Sequence, residues 1–182
     1  MANGTLKVSN IETSSGSGTI TLGASGETVD LSTATMTLNS TMKATPAFSA
    51  RMSANQTLSD STWTKANFDT ELLDSDGKYD TSNYRFTPGV AGYYRVSAYG
   101  YLQANDGNFG NVAIYKNGSE HTFTANLYGA ANYQTQQINC VLYLDADDYV
   151  EAYFRQISGQ SRTLLGENDV ESNFAAERII GA

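Results

Sequence analysis

Apolar and polar side chains alternate along most of the chain after residue 45, which is the spacing of β-strands with one buried face. In the longest run, residues 91–103, one side carries a set of core-type residues: Tyr94, Val96, Ala98, Gly100 and Leu102. No window carries apolar residues at helical spacing over the length of a helix, so little helix is expected. The pattern predicts an all-β domain.

The alternation defines about eight to ten strands with turn residues between them. Eight predicted strands have defined bounds: 46–52, 79–86, 91–103, 112–116, 122–127, 136–144, 149–157 and 173–180. One more strand is predicted to end at the turn of residues 74–77. Asn117-Gly118 predicts a tight hairpin, because both central residues of such a turn take positive φ. Regular spacing without crossover helices predicts an antiparallel sandwich or jelly roll.

Residues 1–45 differ from the rest of the chain, since they contain no Trp, Tyr or Phe. A motif of Thr, an apolar residue, a polar residue and Leu recurs at 19–22, 28–31 and 35–38. Such short β segments cannot make a core alone, so we expect them to dock on other chains or wrap with them. The alternative is a flexible linker. We predict a stem or attachment segment over 1–45 and a head domain over 46–182.

The second face of the predicted strands carries more tyrosine than a solvent-facing side needs. These tyrosines are Tyr93, Tyr99, Tyr101, Tyr143 and Tyr153. A buried aromatic side chain removes about 150–250 Å² from water, and a Tyr-rich face with few charges is typical of protein interfaces. The simplest partner is another copy of this chain in a closed ring, and a ligand groove is the alternative.

The net charge and the lack of recognisable targeting signals disfavour several classes of function. The formal net charge of -8 disfavours binding to a nucleic-acid backbone or to an anionic membrane surface. No apolar signal segment begins the chain and no run approaches a membrane span, so we expect synthesis in a cytosol without export by the general route. Assembly into a virus particle is compatible with that expectation.

No catalytic pattern is found in the sequence, so we predict a protein that is not an enzyme. His121 is the only histidine and lies beside a predicted hairpin turn, where a solvated side chain is expected. Cys140 is the only cysteine, which excludes an intramolecular disulfide and predicts a small buried apolar residue. No histidine and cysteine cluster supports zinc, and no glycine-rich phosphate loop precedes a helix.

No cofactor is expected, and calcium is the one candidate that the residues suggest. Two turns concentrate carboxylates: Asp74 and Asp76 in the first, Asp145 and Asp147 in the second. Calcium prefers six to eight oxygen ligands in flexible geometry. The preferred interpretation is an ordinary turn in which an Asp side chain caps its own backbone, and calcium binding is the alternative.

Three polar connections are candidate ligand loops: residues 103–111, 127–133 and 158–173. Their Asn, Gly, Gln, Ser and Tyr are residues of adaptable binding loops, although solvated connectors have the same composition. The candidate ligand residues are Asn105, Asn108, Phe109, Tyr128, Asn132 and Gln160.

Six residues at characteristic intervals resemble the signature of the C1q/TNF-like jelly-roll family: Phe68, Asp74, Tyr79, Phe86, Gly92 and Tyr94. Val96 and Ala98 stand where the signature has two further aromatics, and Tyr99 or Tyr101 is expected to replace the bulk lost at Ala98. The resemblance covers residues 45–182 and implies a ten-stranded jelly roll and a tight homotrimer. Some trimers of this family hold calcium near their apex.

The N-terminal segments at 6–11, 20–23 and 28–31 are similar to those of tailed-phage fibre and appendage proteins. Together the two resemblances imply a virion protein, made in the host cytoplasm and displayed on the particle exterior as a tail-fibre or appendage knob. Its N-terminus would join other virion proteins, and its head would contact a host-surface receptor or glycan. A capsid-decorating or head-fibre protein without a ligand is the alternative. A glycan-degrading enzyme is disfavoured, because such spikes use a much longer β-helix.

Overall fold

The computed structural model describes residues 45–103, 109–127, 133–167 and 172–179, which contain thirteen β-strands and no helix. The strands are β1 (Ala47–Arg51), β2 (Gln56–Leu58), β3 (Thr64–Lys65), β4 (Thr70–Asp74), β5 (Tyr79–Asp80), β6 (Arg85–Phe86), β7 (Gly92–Gln103), β8 (Phe109–Lys116), β9 (Ser119–Leu127), β10 (Tyr133–Leu144), β11 (Val150–Ile157), β12 (Arg162–Leu165) and β13 (Ser172–Arg178). No helix of membrane-spanning length and apolarity occurs in these residues. The predicted stem lies outside them, except for Thr45.

Two antiparallel sheets form a sandwich, as predicted. In the first sheet β7 pairs along its whole length with β10, and its other edge pairs with β13 and then β12. β1 and β4 continue this sheet beyond β13, and β2 flanks β12. The second sheet has the order β5-β6-β11-β8-β9, with β3 also beside β11. Because β3, β5 and β6 have two residues each, the strand number depends on whether they are counted, and the ten-strand count stays a prediction.

The core lies between the sheets and is built around aromatic rings. Phe48 stacks on Tyr79 with 4.5 Å between ring centroids and on Phe86 with 4.7 Å, and it meets Phe174 edge-on at 4.9 Å. Offset and edge-to-face pairs of this kind add to the free energy of burial. The apolar residues of the predicted signature are all buried here, which explains why they are aromatic.

The two buried tyrosine hydroxyls of the core have partners. Tyr79 Oη donates to the Phe68 carbonyl oxygen at 2.7 Å, and Tyr94 Oη donates to the Val90 carbonyl oxygen at 2.7 Å. A buried hydroxyl without such a partner would be destabilising. Burial raises the pKa of Tyr94 to about 12 and also raises the pKa of Tyr79.

The expected compensation for Ala98 is wrong. Ala98 is buried, whereas Tyr99 and Tyr101 lie on the opposite side of β7, because alternate residues of a strand face opposite ways. Phe174 of β13 stands directly opposite Ala98 in the sheet and is fully buried. The bulk at this point therefore comes from a strand distant in sequence.

The turns follow the sequence signals in part. Asn117 and Gly118 have φ of 52° and 75°, which confirms the predicted hairpin between β8 and β9. The single strand predicted over 79–86 is wrong, because β5 and β6 form a small hairpin whose turn includes Tyr84 with φ of 52°. Bulky residues rarely take this backbone conformation, so the alternation gave no sign of a turn here.

Gly100 is expected to be intolerant of a side chain. A Cβ there would lie 2.7 Å from Leu164 Cδ1 and 2.9 Å from Phe154 Cε1, both of which are in the packed core. We predict that Gly100→Ala lowers the free energy of unfolding by about 1–3 kcal/mol, because overpacking strains the core. Chemical denaturation measures the change. Glu120→Ala, at an exposed position of β9, should shift it by no more than about 0.5 kcal/mol. Equal effects of the two substitutions would contradict the packing argument.

Candidate functional site

Four of the five predicted interface tyrosines lie together on the outer face of the first sheet. Tyr93 faces Tyr143 across β7 and β10, and their rings meet edge-on with centroids 5.4 Å apart. Tyr101 stacks on Tyr133 at 5.7 Å. We call this surface the tyrosine ridge: Tyr93, Tyr99, Tyr101, Tyr133 and Tyr143, which are 36–48% exposed. Tyr133 was not predicted, because the strand was expected to begin at residue 136. Its position is an even number of residues from Tyr143, so both side chains lie on the same side of β10.

A groove of small side chains lies on the same outer face, on the side of β1 and β13. It is a shallow cavity of about 240 Å³ whose lining includes Ala47, Leu73, Arg95, Ser97, Ala175 and Glu177. We call it the small-residue groove. Arg95 Nη1 lies 2.8 Å from Glu177 Oε1, and both side chains are more than half exposed. The groove therefore contains a charged pair that is already neutralised within the chain.

The fifth predicted interface residue, Tyr153, lies on the other sheet. Its ring stacks on Tyr115 with 3.9 Å between centroids, on the outer face of the second sheet. Burial, together with the nearby charge of Glu151, raises the pKa of Tyr153 to about 12. The structure therefore does not bring Tyr153 together with the tyrosine ridge.

A second aromatic surface surrounds Trp63 on this outer face, and sequence reasoning missed it. The Trp63 ring lies edge-on to Tyr115 at 6.3 Å and to Phe123 at 6.1 Å, and the Arg155 guanidinium lies 4.7 Å from its centroid. Lys65 Nζ forms an ion pair with the buried Glu151 at 3.0 Å. Trp63 precedes a strand of two residues, which is too short to show an alternating pattern.

The candidate ligand loops are described in part. Phe109 begins β8 and is exposed, and Gln160 is exposed after β11, where its carbonyl accepts a hydrogen bond from Gln156 Nε2 at 2.7 Å. The prediction of one loop over 158–173 is wrong, because it contains β12, which pairs with β2 and β7. The other four candidates lie outside the described residues: Asn105, Asn108, Tyr128 and Asn132.

The two acidic turns have the geometry of capped turns. Asp74 accepts backbone hydrogen bonds from Asp76 N at 3.3 Å and Tyr79 N at 2.8 Å. In the turn of residues 145–148, Asp148 accepts a backbone hydrogen bond from Asp145 N at 2.7 Å. No group of three or more His, Cys, Asp or Glu that could hold a metal ion is found within the described part of the chain. Calcium at Asp74, Asp76, Asp145 or Asp147 stays an untested candidate, beside the prediction that the chain has no cofactor.

His121 is exposed as predicted, whereas Cys140 is less buried than predicted. Cys140 is half-buried and packs against the core, and burial raises the pKa of its thiol. A thiol in such surroundings is a poor nucleophile, because the reactive thiolate is disfavoured. His121 is exposed on β9 beyond the Asn117-Gly118 turn.

Comparison with protein-family models gives one match, the C1q domain, over residues 47–175. Among solved structures, murine APRIL at pH 5.0 is similar with 9% identity and a TM-score of 0.57, covering 74% of this chain and 99% of that one. Eiger TNF from S. frugiperda is similar with 13% identity and a TM-score of 0.53, covering 76% and 93%. The globular domain of zebrafish complement 1qA is similar with 14% identity and a TM-score of 0.51, covering 72% and 94%.

No curated protein matches the chain significantly. At identities of 9–14% the structural likenesses concern the fold alone. Because one fold supports many functions, the chemistry and the binding of this chain depend on its own surfaces.

We expect the hydrogen bonds that the Asp148 carboxylate accepts to make the stability of the fold depend on pH in the acidic range. The hydrogen bond from Lys116, with a second from Asn117, lowers the pKa of Asp148 to about 2 from an ordinary 3.8. A carboxyl with a depressed pKa stabilises the fold above its unfolded-state pKa, and this contribution is lost as pH falls from about 4 to about 2. Asp148→Asn should therefore reduce the fall of the unfolding temperature across that range.

Thermal unfolding from pH 5 to pH 2 measures this dependence. Lys116→Met removes the main partner and should reduce the dependence similarly, while the double variant should add little to either single one. Identical pH profiles for the wild type and Asp148→Asn would show that the network does not couple to folding.

Proposed function

The chain belongs to the C1q domain family. From this membership together with its N-terminal segment, we propose that it is a non-enzymatic virion protein of a phage. It forms a homotrimeric knob that attaches to other virion proteins through residues 1–45 and contacts a host-surface receptor or glycan. The proposal is supported by the two resemblances in the sequence, and above all by the outer face of the first sheet.

The tyrosine ridge and the small-residue groove support self-association. They lie side by side on one face, the ridge on β7 and β10 and the groove on β7, β13, β1 and β4. The ridge of one copy therefore fits the groove of the next better than two ridges fit each other. Such a heterologous contact makes a ring when the rotation closes. The five partly exposed tyrosines offer roughly 300–500 Å² for burial. In a standard interface each partner buries about 800 Å², so the tyrosines would supply about half of that area.

The charges in the groove are compatible with burial between copies. Arg95 and Glu177 are paired at 2.8 Å within one chain, so covering them leaves no isolated charge. An unpaired charge buried at an interface is strongly unfavourable, whereas a hydrogen-bonded pair costs much less. A neighbouring copy therefore needs no complementary charge at this point.

The virion assignment is supported by the N-terminal segment, whose repeated motif resembles that of phage fibre and appendage proteins. Three heads on one stem would bind a surface ligand with avidity, so each single site can be weak. A capsid-decorating role without a ligand is the second candidate, and it predicts a different position on the particle.

Replacing Tyr99 and Tyr101 by Asp is expected to convert the trimer into folded monomers. The substitutions place charges on the ridge while leaving the core side of β7 unchanged. Light scattering after size-exclusion chromatography at micromolar concentration gives the mass, and circular dichroism checks the fold. Phe123→Asp is the matched control, because Phe123 is an exposed aromatic residue on the other sheet, and it should keep the wild-type mass. A monomeric wild type, or an unchanged mass of the double variant, would refute the interface.

Imaging of virions with a label on this chain tests the assignment to the tail. A label at the tail tip or on tail appendages is expected. A label spread over the head shell would refute the tail-fibre assignment and support the decorating role.

A further inference from the structure

We propose that the outer face of the second sheet carries a binding patch for a neutral saccharide, formed by Trp63, Phe109, Asn111, Phe123, Arg155 and Ile157. The inference rests on the proposed function in one respect, since self-association through the first sheet leaves this face of the knob uncovered. This patch, and not the polar loops, would then be the main contact surface of the head. It includes Phe109, which is one of the candidate ligand residues predicted from the sequence.

Apolar side chains, most of them exposed, form the larger part of the patch. Phe109 and Ile157 are direct partners across β8 and β11 and are 46% and 38% exposed. Phe123 of β9 is 48% exposed and stands in register with Ala113, which is fully buried although its side chain is on the outer face. The Trp63 ring is held by the edges of Tyr115 and Phe123 and by the Arg155 guanidinium. Rings that are already held in place lose little freedom on binding.

A polar pair lies at the centre of this apolar surface. Asn111 and Arg155 are direct partners in the register of β8 and β11, next to the pair of Phe109 and Ile157. Asn111 is 3% exposed, and its Oδ1 accepts no hydrogen bond from any described residue. Arg155 Nε is also buried and donates to none of them. Buried polar atoms without a partner are rare in proteins, so this neighbouring pair indicates a missing ligand group.

A hydroxyl group fits the pair. It donates one hydrogen bond and accepts others, so a single hydroxyl can donate to Asn111 Oδ1 while it accepts from Arg155 Nε. An apolar protein partner would leave both atoms unpaired, which disfavours its binding. An anionic ligand is disfavoured by the net charge of -8. A neutral saccharide has hydroxyls for this pair and C–H faces for the surrounding rings.

Binding at this patch should be reported by the tryptophan. Trp63 is the only tryptophan of the chain, and the Arg155 guanidinium lies 4.7 Å from its ring centroid. Because Asn111 Oδ1 and Arg155 Nε are buried, a hydroxyl reaches them only when the side chains that cover them, the Arg155 side chain beside the indole among them, shift. Occupancy of the patch therefore changes the surroundings of the indole and its emission.

The experiment is a titration of the full-length chain with glucose, galactose, rhamnose and N-acetylglucosamine oligomers, followed by tryptophan emission. At least one sugar should give a saturable change, and Phe123→Ala should weaken its binding at least tenfold. Leu72→Ala, which removes an exposed apolar side chain of the first sheet, should leave the affinity unchanged. Absence of a saturable response to every sugar would overturn the inference.

Asn111→Leu separates a binding role from a structural one. Leucine has a similar size and removes an acceptor that has no partner, so the unfolding temperature should stay equal or rise, while sugar binding falls at least tenfold. Unchanged binding in both Asn111→Leu and Phe123→Ala would overturn the proposal. The mass of the same samples distinguishes the two hypotheses: a trimer that binds no sugar contradicts only the patch, and a monomer that binds sugar contradicts only the self-association.

Discussion

The two-residue period of β7 is the constraint on which the rest of the structure depends. This strand pairs along one edge with β10 and along the other with β13 and β12, so its register determines which side chains of the first sheet face inward. Its inner side places Tyr94 in the core, and its outer side presents Tyr93. A slip of one residue would exchange the two sets, so the buried core and the tyrosine ridge are specified together.

The aromatic core explains why a chain so different in sequence from animal proteins shares their fold. Phe48 touches rings from three other parts of the chain, and the buried hydroxyls of Tyr79 and Tyr94 are bonded to backbone carbonyls. None of these contacts involves a side chain on the outer face of either sheet. The outer faces are therefore free to change, and function must be sought on them.

The two outer faces have different chemistry. The first presents tyrosines next to a groove of small residues, with its charges already paired, which suits packing of the ridge of one copy against the groove of another. The second presents a tryptophan held over a guanidinium and leaves Asn111 Oδ1 without a partner among the described residues, which suits a ligand that supplies a hydroxyl. The proposed self-association and the proposed saccharide binding use separate faces, so neither would block the other.

The sequence by itself determined the sandwich class, the long strands, the Asn117-Gly118 hairpin and the outward side of Tyr93, Tyr99 and Tyr101, because alternation and turn chemistry are local properties. Only the tertiary structure decided that Phe174 fills the space beside Ala98 and that Tyr153 lies apart from the tyrosine ridge. It also decided that the Trp63 ring packs edge-on against the Phe123 ring. The physical reason is that a period of two assigns each side chain to a side of its strand, whereas long-range pairing decides which sheet that strand joins and what it meets there.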